Sequence, residues 1–161
     1  ELGHRRIGFI AGRPDLRSSI LRDAGYRRAL SNAGIAYDPA LVRVGMYHPE
    51  TVREQARLLL ESADRPTAVF AANDLSALAV IEVAARLGIA VPRDLSVVGF
   101  DDIPDATQGS LALTTVRQPM QALGATATGL LVALMNGETP ESTHIGLATR
   151  LIVRETTAPP R

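Results

Sequence analysis

Two adjacent carboxylates, Asp101 and Asp102, stand directly after a short apolar run, Leu95-Ser96-Val97-Val98-Gly99-Phe100. Pro92 stops whatever precedes that run, and its β-branched character reads as a strand buried on both faces, as in a parallel sheet. In open parallel sheets, ligands bind outside the carboxyl ends of the strands. A carboxylate placed there accepts hydrogen bonds from the hydroxyls of a small molecule. Asp before Ile-Pro also opens turns, so we assign the capping role to Asp102 and the ligand role to Asp101. Neighbouring side chains on an extended segment point opposite ways, which makes the two a poor acid–base pair.

Other reactive groups are sparse. Asn73 follows the apolar run 68–72 and opens a helical stretch. Its amide can donate and accept, so it suits a helix cap, a ligand contact, or both. His4, His48 and His144 are scattered, without metal-ligand spacing. With no Cys there is no thiolate chemistry and no disulfide framework. Nucleotide-binding glycine motifs and the GxSxG elbow are missing from the sequence. The chain therefore reads as a binding module rather than an enzyme, with no cofactor and no metal expected.

Composition narrows the partners. The 161 residues carry 17 basic and 17 acidic side chains, a net charge of zero. Nucleic-acid-binding domains are usually basic on one face, so this chain is not expected to grip DNA by itself. No apolar run reaches membrane-spanning length, no signal peptide is visible, and the lack of Cys is compatible with a cytoplasmic home. A start at Glu1 without Met is expected of a piece of a longer protein.

The elements that must position these groups alternate. Strands are expected at 6–12, 41–44, 68–72, 95–100 and 149–154, with another short apolar stretch at 113–116. Helices are expected at 15–33, from Pro49 up to Pro66, at 73–87, and from Pro119 to Met135. In the first helix Leu16, Ile20, Leu21, Ala24 and Leu30 fall near one face. The third is apolar around most of its circumference and needs cover on more than one side. One face can lie on the sheet; the other is either a subunit contact or wedged under a loop. Alternation of this kind implies an α/β fold, a mostly parallel, doubly wound sheet with helices on both faces. The Pro-rich tail, 156–161, is expected to be disordered.

Four stretches then carry a family resemblance: Leu2-Gly3-His4-Arg5-Arg6-Ile7; Pro66-Thr67-Ala68 with Ala71-Ala72-Asn73-Asp74; 91–102; and Leu113-Thr114-Thr115-Val116-Arg117-Gln118-Pro119. In this order and spacing they span nearly the whole chain, which resembles the C-terminal part of the lactose-repressor/galactose-repressor (LacI/GalR) family of bacterial transcription regulators. Two positions depart from the family: Leu111-Ala112 precede Leu113 where Pro is usual, and Ala79 stands where Gly is frequent. Both weaken assignment to a close subgroup and leave the family resemblance intact.

The resemblance implies a periplasmic-binding-protein-like fold with two lobes closing on a ligand, and a helix-turn-helix headpiece upstream. Residues 1–118 would form the C-terminal lobe. Residues 119–137 would belong to the first lobe, and 138–155 would return to this one. Arg22, three before Gly25-Tyr26, would grip the effector with its fork of donors; Arg17, Arg27 and Arg28 are close by, and spacing alone does not choose among them. Ser18, one turn earlier, could add a hydroxyl or help start the helix. Tyr47 would pack its ring on a sugar or base, and Gln118 would act at the crossover between lobes. Leu78, Ala79, Ile81 and Glu82 would lie on the family's dimer face. Expected partners are a small effector (a sugar or related metabolite, or a nucleobase), a second copy of the chain, and DNA only through the headpiece. A transport or chemotaxis sugar-binding protein of the same fold is the alternative, and an α/β enzyme such as a sugar isomerase a third class.

Overall fold

A computed structural model describes residues 2–140 and 142–161. Glu1, at the start of the expected 1–118 lobe, and Glu141, within the expected 138–155 return, lie outside the described residues. The elements run β1 (Ile7–Ala11), α1 (Arg17–Asn32), β2 (Val42–Val44), α2 (Pro49–Leu60), β3 (Ala68–Ala71), α3 (Asp74–Arg86), β4 (Ser96–Asp101), β5 (Thr114–Arg117), α4 (Met120–Met135) and β6 (Arg150–Ile152), with 3-10 turns at Pro39–Leu41 and Pro104–Thr107. One sheet orders them β2-β1-β3-β4-β5-β6; the first five strands are parallel and β6 is antiparallel to β5. The expected α/β fold, with helices on both faces of a mostly parallel sheet, is the one observed.

The two faces are unequally covered. On one, Ile10, Val69, Leu95 and Val97 pack beneath α2 and α3, against Val52, Leu59 and Val80. On the other, α1 lays Tyr26 and Leu30 over Phe9 and Ala72. The Phe9 ring stacks on Tyr26 and Phe70 with centroids 5.1 and 5.2 Å apart, and Tyr26 donates its hydroxyl to the Ile7 carbonyl at 2.8 Å. Burial pushes that phenol up to about 12. Among the described residues no second helix covers the rest of this face, and Phe70, Val98, Phe100 and Val116 line a groove of about 720 Å³ beside α1.

That bare face leaves most of the apolar stripe expected on α1 uncovered, Leu30 excepted. Its buried residues are Ser19, Tyr26 and Leu30, whereas Leu16, Ile20 and Leu21 are exposed, Leu21 at 60%. Leu21 belongs to the groove wall, so its apolar character serves the groove rather than the core. The third helix, α3, finds its cover on the sheet and on α2 together: Ala77, Ala79, Val80, Val83 and Ala84 are all buried. Of the expected dimer-face residues, Leu78, Ile81 and Glu82 keep part of their surface, but Ala79 is buried in the chain's own core. By contrast α4 buries no residue at all.

The tail is docked, correcting the expected disorder. Thr156 is fully buried; it accepts from the Thr114 N–H at 2.9 Å and donates to the Val97 carbonyl at 2.7 Å. His4 bonds Thr67 Oγ1 (2.9 Å), Ser96 Oγ (3.1 Å) and the Ala158 carbonyl (2.8 Å), fastening both ends of the chain to the amino edge of the sheet. Such hydrogen bonds outweigh the mobility that Pro-rich composition favours. Among the described helices none is long and apolar enough to cross a membrane.

Candidate ligand-binding site

At the opposite, carboxyl edge, β2 runs into Gly45-Met46-Tyr47, β4 ends at Asp101 and β5 gives way to Gln118. Left-handed backbone concentrates there: φ is 59° at both Met46 and Tyr47, 121° at Asp101 and 60° at Asp102. Each such non-glycine residue costs on the order of 1–3 kcal/mol and persists only where its surroundings over-determine it. Two glycines make room. A Cβ on Gly45 would lie 2.6 Å from Val52, and one on Gly12 would lie 2.0 Å from the Tyr47 ring.

Arg22 is the hub. Its guanidinium lies over the Phe100 ring at 4.0 Å, donates to the Tyr47 hydroxyl at 3.0 Å, and stands 3.5 Å from Asp101 Oδ1. Asp101 Oδ1 also accepts from Gln118 Nε2 at 2.6 Å. The Arg22 and Asp101 side chains are only 14% and 25% exposed, so their attraction is less screened than at an open surface. Burial pushes the Asp101 carboxyl above its usual range, against the Gln118 hydrogen bond and the Arg22 charge; the nearby Asp74 charge adds to the rise.

Four of the six expected ligand residues therefore meet: Arg22, Tyr47, Asp101 and Gln118. Ser18 lines the same groove with Leu21 and Phe100. Asn73 caps α3: its Oδ1 accepts from the Ser76 N–H at 3.0 Å. Phe100 is the residue sequence reasoning missed. It was one more apolar letter in a strand, and its signal was its place immediately before Asp101, on the sheet face that α1 leaves bare.

Asp102 does not cap the following turn. Ile103 precedes the Pro104–Thr107 turn without a side-chain cap, while Asp102 receives Arg117 Nε and, at 2.6 Å, Arg154 Nη2. Burial acts to raise its carboxyl pKa, but the hydrogen bonds from the two arginines outweigh it and hold the group below the usual range. Two cations nearby win over the turn because charge-assisted bonds are about twice as strong as neutral ones.

Chemically the edge offers one carboxylate acceptor, one guanidinium fork, an amide and two aromatic faces beside an apolar groove. Pockets for small molecules have this make-up, a few converging polar groups on apolar walls. A polyhydroxylated ring satisfies both parts, its hydroxyls on Asp101, Arg22 and Gln118 and its C–H face on an aromatic ring.

Residues 1–157 match the family described as "Periplasmic binding protein-like domain". The chain is 42% identical over 155 residues to the HTH-type transcriptional regulator CelR of Thermobifida fusca, covering 96% of this chain and 46% of the relative. It is 36% identical over 158 residues to the HTH-type transcriptional repressor PurR of Erwinia tasmaniensis, again covering 46% of the relative. It thus spans about half the length of these relatives. Among solved structures, the CelR–cellobiose complex superposes with a TM-score of 0.90 over 96% of this chain and 47% of that one, at 42% identity. The lac repressor dimer bound to operator and the anti-inducer ONPF superposes with a TM-score of 0.87 over 98% and 54%, at 32% identity. The chain belongs to the periplasmic-binding-protein-like domain family, in the form that LacI-family transcription regulators carry as their C-terminal effector-binding region.

Proposed function

We propose that the chain is the effector-sensing and dimerisation part of a LacI/GalR-type DNA-binding regulator, and that its effector is a small sugar-like ligand held by Arg22, Asp101, Gln118 and Tyr47, with Ser18 and the amide nitrogen of Asn73 completing the contacts. The observation that carries this reading is the assembled cluster: Arg22 within 3.5 Å of Asp101 and bonded to Tyr47, with Gln118 on the same carboxylate. A disaccharide heads any panel, since the similar CelR structure is a cellobiose complex, and nucleobases form a second class to screen.

In this reading α4 belongs to a first lobe lying over the carboxyl edge, and the effector bridges the lobes and stabilises their closed arrangement. Two copies meet through the outer strip of α3, with Leu78, Ile81 and Glu82. Closure moves the first lobes relative to each other and so sets the geometry of the upstream headpieces on DNA. Effector and operator are then coupled reciprocally.

The test uses the intact regulator. A thermal-shift screen identifies the effector, and Arg22→Ala and Asp101→Ala are then assayed for operator release or capture. Removing a charged hydrogen-bond partner costs about 2 kcal/mol or more, so both variants should lose response while keeping fold and operator binding. A variant that responds at wild-type effector concentration refutes the site.

A further inference from the structure

One buried carboxylate near the site makes no hydrogen bond to the cluster described above. Asp74, in the first turn of α3, is fully buried. Its Oδ2 accepts from the Ile103 N–H at 2.9 Å, and its Oδ1 accepts from the Thr115 hydroxyl at 2.5 Å. A carboxylate removed from water is costly unless bonded, and the helix N-terminus favours negative charge only modestly. Asn73 already caps this helix, so α3 has no need of a second polar group to begin. Asp74 instead joins three elements, α3, β5 and the loop after β4. Gly99 gives it passage: a Cβ there would lie 2.3 Å from Asp74 Oδ1.

The joined points bracket Asp101. On one side the ladder pairs Asp101 with Arg117, and Gln118 N–H donates to the Asp101 carbonyl at 3.3 Å. On the other side Asp74 fixes Ile103 N–H. Between those anchors lie the two consecutive left-handed residues, Asp101 and Asp102. Strained backbone relaxes unless both of its ends are held. We infer that Asp74 is a positioning residue for the ligand site: by anchoring Ile103 and Thr115 it holds Asp101 in the backbone conformation that presents its carboxylate to Arg22 and Gln118.

This rests on the proposed site for its functional meaning, but the following measurement needs no ligand and is readable whether or not the effector reading survives. The Gln118 side-chain amide reports on its bond to Asp101 through its proton and nitrogen NMR shifts, and Asp101→Asn marks the position of that signal when the charge is gone. Asp74→Ala should move the Gln118 signal away from its wild-type position toward that mark, while the backbone amides of Thr114 and Val116 stay in place. Asp74→Asn, whose carbonyl can accept from Ile103 and whose amino group can donate to Thr115, should restore the wild-type signal. Thr115→Val, close in shape and lacking one anchor, should shift the signal part of the way even if Asp74→Ala fails to fold. A wild-type Gln118 signal in Thr115→Val, or in a folded Asp74→Ala, overturns the inference.

Discussion

Gly12 lacks a side chain where Tyr47 places its ring: a Cβ on Gly12 would stand 2.0 Å from Tyr47 Cζ and 2.3 Å from its hydroxyl. Those atoms are the far end of a side chain that can swing outward, so Gly12→Ala should evict the ring rather than break the fold. Eviction severs the Arg22–Tyr47 hydrogen bond. We expect effector affinity to fall on the order of tenfold for the loss of one such bond, with stability changed by less than about 1 kcal/mol. Calorimetric titration of effector and urea unfolding of the same variant check the two halves; a large stability loss with affinity unchanged contradicts this relationship.

Asp101 and Asp102 are adjacent in sequence and their carboxyl pKa values are shifted in opposite directions. The folded-state pKa of Asp101 is raised, so its contribution to stability is present below the unfolded value and is lost as pH rises through the folded one. Asp101→Asn should therefore stabilise the chain at pH 7, with the gain vanishing below about pH 4, near the unfolded pKa of Asp. Asp102 has a lowered pKa, and its contribution is present above the unfolded value and fades as pH falls. Asp102→Asn should destabilise at pH 7, by an amount that shrinks on acidification. Urea midpoints of both variants at pH 7 and near pH 3.5 decide the matter, and effects of the same sign at pH 7 refute it.

Self-association is expected of the isolated chain. Met120, Leu123, Leu131, Val132, Leu134 and Met135 of α4 are all at least 46% exposed. Contiguous apolar surface of this kind rarely stays bare in water. Sedimentation at micromolar concentration should show no dominant monomer, and replacing Leu131 and Leu134 with Gln should shift the chain toward monomer. A clean wild-type monomer would mean that α4 folds back on its own lobe.

One part of the site was legible because a strand end is a local signal. Asp101 follows directly from an apolar run; Gln118 and Tyr47 were placed by the family resemblance instead. Arg22 was not legible from spacing, among Arg17, Arg27 and Arg28; the family motif chose it, and in the fold Arg27 is engaged with Asp23 and Tyr37. What failed depended on distant partners. Asp102 reads as a turn former until Arg117 and Arg154, 15 and 52 residues away, are brought beside it. Thr156 reads as a disordered tail until β4 and β5 supply its acceptor and donor from 59 and 42 residues away. Of the apolar stripe read on α1, Leu30 fills the core but Leu21 walls the groove, because apolarity alone does not say which of the two a residue does.

The grip of Asp102 on two arginines bears on how α4 can move. Arg117 ends β5, where the chain departs toward α4, and Arg154 follows β6, where it comes back. One carboxylate holds both stems, and through Arg154 Nη1 the returning stem is also tied to the Leu113 carbonyl at 2.8 Å. Both stems therefore share the same pair of charge-assisted bonds, one to each arginine. The two crossings are therefore fastened to each other at one side chain, so a change at Asp102 would loosen the departure to α4 and the return from it together.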